Sequence, residues 1–219
     1  MPGERIGLLG GTFNPVHNGH LRAAEEVRRR AALRRVLFIP SYIPPHKQSA
    51  EIASPEDRFA MVGLAVKGHP AFEASAVEID ARQTSYSIIT LDKVQALHAD
   101  SQIFFIVGID AFLDIGTWRS HRELIERSRF IVISRPGYSL EEARRALPSD
   151  CDKAFVDLKG ASSLTDELAD RHRIFLTAID ALDISSTDIR RRVRRGQAIA
   201  GLVPEAVDFY IRKKKLYQE

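Results

Sequence analysis

The sequence of 219 residues contains one cysteine, Cys151, and no hydrophobic stretch of the length that a membrane span requires. A single cysteine excludes an internal disulfide and a thiolate-rich metal site. The longest uninterrupted aliphatic and aromatic run is Ile103 to Val107, whereas a transmembrane helix needs about 20 apolar residues. The first residues show neither a secretory h-region nor a small-residue cleavage site. These absences predict a cytoplasmic protein that does not enter a membrane.

Two common nucleotide-binding signatures are also missing. The fingerprint G-x-G-x-x-G does not follow the first predicted strand, and G-x-x-x-x-G-K-[ST] does not occur at all. These absences argue against an ordinary nicotinamide-dependent dehydrogenase and against a P-loop ATPase. The net charge is only +3, although five arginines lie between Arg190 and Arg195. We interpret the arginine clusters as solvated helix faces and predict no nucleic-acid partner.

What is present is the pattern of an α/β protein. The chain is 44% hydrophobic and 28% charged, and no repeat or linker divides it, so one domain over residues 1–219 is expected. Short apolar runs alternate with helical periodicity, as in parallel strands buried on both faces. Strands are predicted at 6–9, 36–39, 103–107, 130–133 and 174–176, with a looser stretch at 72–79, and helices at 20–32, 55–67, 86–98 and 187–195. We predict a Rossmann-like, doubly wound and mostly parallel sheet with helices on both faces, which binds its ligands beyond the carboxyl ends of the strands.

Helix signals support this pattern. Ser54 is predicted to cap a helix that has Pro55 at its first position. Capping boxes are predicted for Ser120 with Glu123 and for Ser139 with Glu142. Gly196 is predicted to end the arginine-bearing helix.

The first predicted strand runs into the string G-G-T-F-N-P-V-H-N-G-H at residues 10–20. Gly10 and Gly11 permit a tight turn and a close approach of the backbone to a ligand. His17 and His20 lie across the start of a helix, where backbone amides attract phosphate, so both imidazoles can face one anion. A zinc-chelating pair and two unrelated surface histidines are the alternatives, and no nearby cysteine or carboxylate supplies further zinc ligands.

Three other segments carry polar groups suited to a nucleotide. The string I-S-S-T-D-I-R at residues 184–190 starts a helix whose hydroxyls and Arg190 suit phosphates, or it is a plain capped surface helix. His46 and Lys47 follow the second strand, in a segment that is either an exposed polar loop or a source of charge for phosphate. Gly108 allows close approach of a nucleotide, and Asp110 either accepts from ribose hydroxyls or caps the next turn.

The string at residues 10–20 resembles the H-x-G-H signature of the nucleotidyltransferase superfamily, in the longer form found in bacterial nicotinate-nucleotide adenylyltransferases. The strings at 44–47, 84–87, 108–110, 134–137 and 184–190 resemble segments of the same family in the same order. The resemblance covers residues 5–217 and is weakest at 139–173. Ile109 and Ser87 depart from the family pattern, where glutamine or alanine and threonine are more usual.

The resemblance implies roles that the residues alone do not. Trp118, which composition alone would place in the core, matches a tryptophan that stacks on the pyridine ring, and residues 85–87 match a segment whose amides meet the nicotinate carboxylate. Arg135 matches an arginine that contacts ATP, although a salt-bridged loop residue is the alternative. The predicted catalytic residues are His17, His20, Lys47 and Arg190. The predicted ATP site comprises Gly10, Gly11, Thr12, Phe13, His17, His20, Gly108, Asp110, Arg135, Ile184, Ser186, Thr187 and Arg190. The predicted nicotinate mononucleotide site comprises Thr12, His46, Lys47, Ser85, Tyr86, Ser87, Asp110, Trp118 and Arg119.

The implied reaction is transfer of AMP from ATP to nicotinate mononucleotide, which yields nicotinate adenine dinucleotide and pyrophosphate. The acceptor phosphate is the nucleophile, no covalent enzyme intermediate forms, and Mg²⁺ arrives mainly on the ATP phosphates rather than at a protein metal site. A phosphopantetheine adenylyltransferase, a cytidylyltransferase and a nucleic-acid-binding module remain as rival interpretations. The sequence leaves the oligomeric state open, a homo-oligomer included.

Overall fold

The computed structural model describes residues 3–44, 52–134, 140–145, 155–158, 164–180 and 182–218. Within these residues, seven strands form one sheet in the order β3-β2-β1-β4-β5-β7-β6, and every neighbouring pair is parallel. The strands are β1 (Arg5–Gly11), β2 (Arg35–Pro40), β3 (Phe72–Ala74), β4 (Gln102–Gly108), β5 (Arg129–Ile133), β6 (Phe155–Asp157) and β7 (Ile174–Thr177). The strand order reverses between β1 and β4, which is where such sheets bind their ligands.

Helices connect and flank these strands. They are α1 (Asn18–Arg30), α2 (Pro55–Val66), α3 (Ser87–Leu97), α4 (Ile109–Phe112), α5 (His121–Arg127), α6 (Leu140–Arg145), α7 (Asp166–Arg171), α8 (Ser186–Arg194) and α9 (Glu205–Lys213). A short 3₁₀ turn covers Ile115–Thr117. No helix within the described ranges is both long enough and apolar enough to cross a membrane.

Strand β4 shows why the sheet is covered on both faces. Phe104 and Ile106 pack into one apolar cluster together with side chains of α1, α2, α8 and α9. Ile103 and Phe105, the alternate residues, pack into a second cluster with α3, α4 and α5. A continuous apolar strand needs a helix layer on each side, because successive side chains point to opposite faces. The predicted doubly wound α/β fold is therefore confirmed.

Two of the local predictions that can be tested are confirmed and one is wrong. Ser54 caps α2 by accepting a hydrogen bond from the Asp57 amide at 3.0 Å, and Gly196 follows α8 with a φ of +65°. Ser120 precedes α5 with a φ of +51° and makes no capping hydrogen bond, so the predicted box with Glu123 does not form. A capping side chain needs an extended backbone, which this left-handed residue lacks. Ser139 lies outside the described residues.

Both edge strands of the sheet differ from the prediction: one is shorter than predicted and the other is an additional strand. The looser stretch at 72–79 forms a strand only over Phe72–Ala74. The opposite edge strand, Phe155–Asp157, was not predicted, because three residues are too few to show a periodicity.

Candidate active site

The loop that follows β1 is held by side chains from the far end of the chain. Arg190 Nη1 donates to the carbonyl of Asn14 at 2.9 Å. Ser186 Oγ donates to the carbonyl of Pro15 at 2.8 Å, across 171 positions of sequence. The two motifs that sequence analysis assigned to phosphate therefore meet, with the start of α8 against the loop that leads into α1.

The glycines of this loop serve different purposes. A Cβ on Gly11 would lie 3.3 Å from the ring of Phe13, so this glycine makes room for the phenylalanine. A Cβ on Gly10 would meet no protein atom within 4 Å. Gly10 is exposed at the carboxyl end of β1, where a ligand can approach its backbone.

The two histidines form a stacked pair at the start of α1. Their ring centroids are 3.6 Å apart, and Phe13 packs edge-on against His20 at 5.1 Å. His20 Nδ1 accepts a hydrogen bond from the backbone amide of His17 at 3.2 Å. Since Nδ1 is an acceptor, the neutral imidazole of His20 carries its proton on Nε2 and presents that nitrogen as a donor.

Gly19 separates the histidines, and the space around it is tight. A Cβ at this position would lie 3.0 Å from His17 Nδ1 and 3.1 Å from His17 Cε1. Gly19→Ala is expected to displace the imidazole and to lower kcat about tenfold, which corresponds to about 1.4 kcal/mol of transition-state stabilisation. Steady-state release of pyrophosphate, the product that the sequence resemblance implies, measures this effect.

Gly63→Ala is the matched control for this substitution. Gly63 lies within α2, and a Cβ there would meet nothing within 4 Å. We expect wild-type kcat and a gain in stability of up to about 1 kcal/mol from helix propensity. Equal activities of the two alanine variants would contradict the packing role of Gly19.

Helix α8 presents its N-terminus and one arginine to the loop after β1. Ser185 caps the helix by accepting from the Asp188 amide at 3.1 Å, and Thr187 is exposed in the first turn. Asp188 pairs with Arg192 at 2.8 Å and also with Arg191. The hydrogen bond from Arg192, reinforced by that from Arg191, lowers the pKa of the Asp188 carboxyl. Asp188 is thus paired with Arg191 and Arg192 of its own helix, whereas Arg190 contacts the loop after β1.

Ile184, the first residue of this motif, is half-buried against the apolar cluster that includes Ile189. Its amide donates to the carbonyl of Leu182 at 2.8 Å. Packing of Ile184 therefore sets where the chain enters α8, just before the residues that contact the β1 loop.

Tyr217, near the C-terminus, also holds this loop, and sequence analysis assigned it no role in the site. The hydroxyl of Tyr217 donates to Asn14 Oδ1 at 2.8 Å, and the same oxygen accepts from the Ala53 amide at 3.0 Å. Burial raises the pKa of the Tyr217 phenol, which keeps it protonated as a donor. Asn14, inside the G-G-T-F-N-P string, was the available signal for a structural anchor here.

The end of β4 lies next to β1 and carries the predicted ribose contact. Gly108 is the last residue of β4 and directly precedes α4, which has Asp110 in its first turn. Ile109, which departs from the family pattern, is fully buried in the second apolar cluster. The departure therefore falls on a core position, with Gly108 and Asp110 retained on either side of it.

Three of the predicted acceptor residues, Tyr86, Trp118 and Arg119, lie on the face covered by α3 and α5. The guanidinium of Arg119 lies over the ring of Tyr86, 5.1 Å from its centroid. Trp118 is half-buried, with its ring centroid 6.5 Å from that of Phe130. Tyr86 and Trp118 both pack against the second apolar cluster, so one side of each ring is anchored while part of it stays accessible.

The structure gives Ser85 a different environment from its neighbours. The Ser85 amide donates to the carbonyl of Ile43 at 3.0 Å, and its Oγ accepts from the Tyr42 amide at 3.0 Å. Its polar groups are thus engaged within the protein. Tyr86 and Ser87 lie at the start of α3. The first backbone N–H groups of a helix have no carbonyl partner within the helix, so they can donate to another group.

Three predicted site residues, His46, Lys47 and Arg135, lie outside the described residues. Within the described part of the chain, no group of three or more His, Cys, Asp or Glu side chains is placed to hold a metal ion. The donors that do converge are imidazole, guanidinium, hydroxyl and backbone amide groups, which are ligands for phosphate rather than for Mg²⁺.

Comparison with known proteins shows which class of protein has this sequence and fold. The family model described as cytidylyltransferase-like matches residues 8–192, a span that contains both the H-x-G-H string and the start of α8. A protein of Geotalea daltonii, named "Probable nicotinate-nucleotide adenylyltransferase", is 41% identical over 215 residues, which are 98% of this chain and 99% of that protein. One of Desulfitobacterium hafniense with the same name is 42% identical over 221 residues, 99% of this chain and 97% of the relative.

Solved structures share the fold at low sequence identity. The nicotinic acid mononucleotide adenylyltransferase of Plasmodium falciparum complexed with NaAD superimposes with a TM-score of 0.69 at 17% identity, over 98% of this chain and 97% of that one. The same enzyme complexed with APC gives 0.67 at 16% identity, over the same shares of the two chains. The chain thus belongs to the cytidylyltransferase-like family and, within it, to the nicotinate-nucleotide adenylyltransferases.

Proposed function

We propose that this chain transfers AMP from ATP to nicotinate mononucleotide and releases pyrophosphate. The observation that carries the proposal is the contact of two helix starts around one loop, made by Arg190 and Ser186 on the carbonyls of Asn14 and Pro15. Helix N-termini and guanidinium groups favour anions, so this junction suits a triphosphate. The relatives at about 41% identity, which the chain matches over nearly its whole length, favour this function over the phosphopantetheine and cytidylyl alternatives.

The reaction needs no nucleophile from the protein. An oxygen of the acceptor 5′-phosphate attacks the α-phosphorus of ATP, the new P–O bond forms, and the bond from the α-phosphorus to the bridging oxygen of pyrophosphate breaks. Catalysis is then positioning plus stabilisation of the charge that grows on the α-phosphate and the leaving group. His17 and His20 hold the phosphates, with Nε2 of His20 as the donor, and Arg190 neutralises the triphosphate together with the amides that start α8. Lys47 is proposed to add a further positive charge.

The nicotinate ring is proposed to stack on Trp118, with Arg119 and Tyr86 beside it. The carboxylate of the ring is proposed to accept from the amides of Tyr86 and Ser87 at the start of α3. Ser85 supports these amides from behind, since its own amide and hydroxyl bond to the segment after β2. Gly108 and Asp110 are proposed to lie between the two nucleotides.

Magnesium is proposed to enter with ATP. The ion prefers phosphate oxygens and retained water, and when bound it neutralises charge on the departing pyrophosphate. The chain's own part is to hold the phosphates with the imidazole, guanidinium and amide donors described above. A cytoplasmic location and the absence of a nucleic-acid partner stay predictions from the sequence, and the oligomeric state stays open.

The decisive experiment compares pyrophosphate release from Mg·ATP with nicotinate mononucleotide and with nicotinamide mononucleotide. Amide hydrogen bonds to a charged carboxylate contribute about 1.5–3 kcal/mol, so kcat/KM should favour the nicotinate substrate about 10- to 100-fold. Comparable rates would keep the reaction and contradict the carboxylate site at residues 86–87. Release with neither substrate, in an enzyme shown to be folded, would contradict the proposed function, and phosphopantetheine or CTP with cytidylyl acceptors would be tried next.

A further inference from the structure

Helix α2 carries a buried arginine for which the proposed function gives no role. Arg58 is 1% exposed and lies on the same helix face as Met61, Val62 and Ala65, all of which are buried apolar residues. Burying a guanidinium is costly unless its donors are satisfied. The burial of Arg58 among apolar side chains therefore indicates that the hydrogen bonds of its guanidinium offset this cost and hold specific parts of the chain together.

The three donor nitrogens of Arg58 reach three separate backbone positions. Nη1 donates to the carbonyl of Thr12 at 2.9 Å, Nη2 to that of Tyr42 at 3.1 Å, and Nε to that of Ala53 at 3.0 Å. Thr12 follows β1 in the loop that leads to the histidines, whereas Tyr42 follows β2. A planar guanidinium holds its donors in a rigid fork, so it fixes these segments relative to one another.

A second set of hydrogen bonds continues from Tyr42 to the start of α3. The Tyr42 amide donates to Ser85 Oγ at 3.0 Å, and Ser85 directly precedes Tyr86, the N-cap residue of α3. The Ser85 amide in turn donates to the carbonyl of Ile43 at 3.0 Å, so two hydrogen bonds hold Ser85 to the segment after β2. The peptide groups on either side of the Tyr42 Cα thus join Arg58 on one side to Ser85 on the other.

We propose that Arg58 is a positioning residue that sets the distance between the ATP-binding loop after β1 and the acceptor-binding start of α3. The inference rests on the proposed function, because that function assigns one substrate to each of the two sides. An in-line reaction depends on how far apart the two phosphates are held, and a misplacement of about 1 Å can cost about 100-fold in rate. Arg58 touches neither substrate and acts through Thr12, Tyr42 and Ser85.

The test replaces Arg58 by lysine, which keeps the charge but cannot make the forked contacts. We expect kcat for pyrophosphate release to fall on the order of 100-fold, while the KM values for ATP and nicotinate mononucleotide stay within about threefold of wild type. This split is expected because each half of the site keeps its own ligand contacts and only their mutual placement changes.

Arg5 provides a matched control at the amino end of β1, at the other end of the strands from the site. It is 8% exposed, and its guanidinium donates to the carbonyls of Ala31 at 3.0 Å and Leu164 at 2.7 Å and pairs with Asp166. Arg5→Lys should lower the thermal midpoint to a similar extent, yet keep kcat near wild type when assayed below that midpoint. If Arg58→Lys does no more to kcat than Arg5→Lys does, Arg58 is merely structural and the inference fails.

Ser85→Ala tests the same link without touching the buried cation, and it keeps the test decisive if Arg58→Lys does not fold. We expect a lower kcat at a nearly unchanged KM for nicotinate mononucleotide, and a rise of that KM alone would overturn the link. In the double variant, the loss should be close to the larger single loss, because the two residues form one connection. Losses that multiply would show independent residues and contradict the proposal. An inactive wild-type enzyme would instead contradict the proposed function.

Discussion

Replacing His20 by alanine is expected to lower kcat for pyrophosphate release about 100- to 1000-fold, because the variant loses a donor that acts on charge developing in the transition state. The neutral ring presents Nε2 as that donor, since Nδ1 accepts from the His17 amide at 3.2 Å. The KM for ATP should change far less, because the variant keeps the α8 N-terminus and Arg190, which are proposed to bind the triphosphate. An interaction made mainly in the transition state affects kcat rather than binding.

His69→Ala is the control for the histidine substitution. His69 is exposed in the segment between α2 and β3, at the amino ends of the strands and therefore away from the site. Its imidazole stacks on Phe72 with ring centroids 5.0 Å apart. His69→Ala and His20→Ala therefore both remove an imidazole that packs on an aromatic ring. Wild-type kcat is expected for His69→Ala. A kcat within about twofold of wild type for His20→Ala would remove this histidine from the mechanism.

Replacing Arg190 by alanine is expected to lower kcat/KM for ATP by about 100- to 1000-fold, a loss typical of a charged group that stabilises a transferring phosphoryl group. Two effects combine in this variant. The cation proposed to bind the triphosphate is lost, and the carbonyl of Asn14 loses the donor that holds it at 2.9 Å. Arg190→Lys separates them, since it restores the charge without the guanidinium geometry and should recover part of the activity.

The neighbouring Arg191 is the control on the same helix. Arg191 is exposed and pairs with Asp188, which also pairs with Arg192. Exposed ion pairs of this kind contribute about 0–1 kcal/mol, so Arg191→Ala should keep both its fold and its kcat/KM. Equal effects of the two substitutions, measured by initial rates over a range of ATP concentrations, would contradict a phosphate-binding role for the start of α8.

The strands illustrate what could be predicted locally. The run from Ile103 to Val107 is apolar at every position, which is sufficient to predict a strand buried on both faces, and β4 extends it by one residue at each end. Ser54 was also predictable, because a capping side chain acts on an amide only three residues away. Edge strand β6 was not predictable, because a strand of three residues forms through its pairing with β7 and has no composition pattern of its own.

The candidate site divides in the same way. His17, His20 and Arg190 are predictable from their motifs as candidates for phosphate binding, because residue type and spacing at a helix start suit phosphate. The contacts of Arg58 and Tyr217 could not be predicted in this way. No local sequence pattern indicates that Arg58 binds the carbonyl of Thr12 or that Tyr217 binds the side chain of Asn14. The signal that the sequence did contain was an arginine on the buried stripe of α2.

By itself, the sequence determined the fold class, the positions of the motifs and the kind of ligand they suit. These properties depend on interactions between residues a few positions apart, such as helix caps, strand alternation and the glycine turn. Only the tertiary structure decided that the β1 loop is held by α2, by α8 and by a tyrosine near the C-terminus. The Arg190 contact with Asn14 spans 176 positions. A hydrogen bond over such a separation is selected by how the whole sheet packs, and no local pattern specifies it.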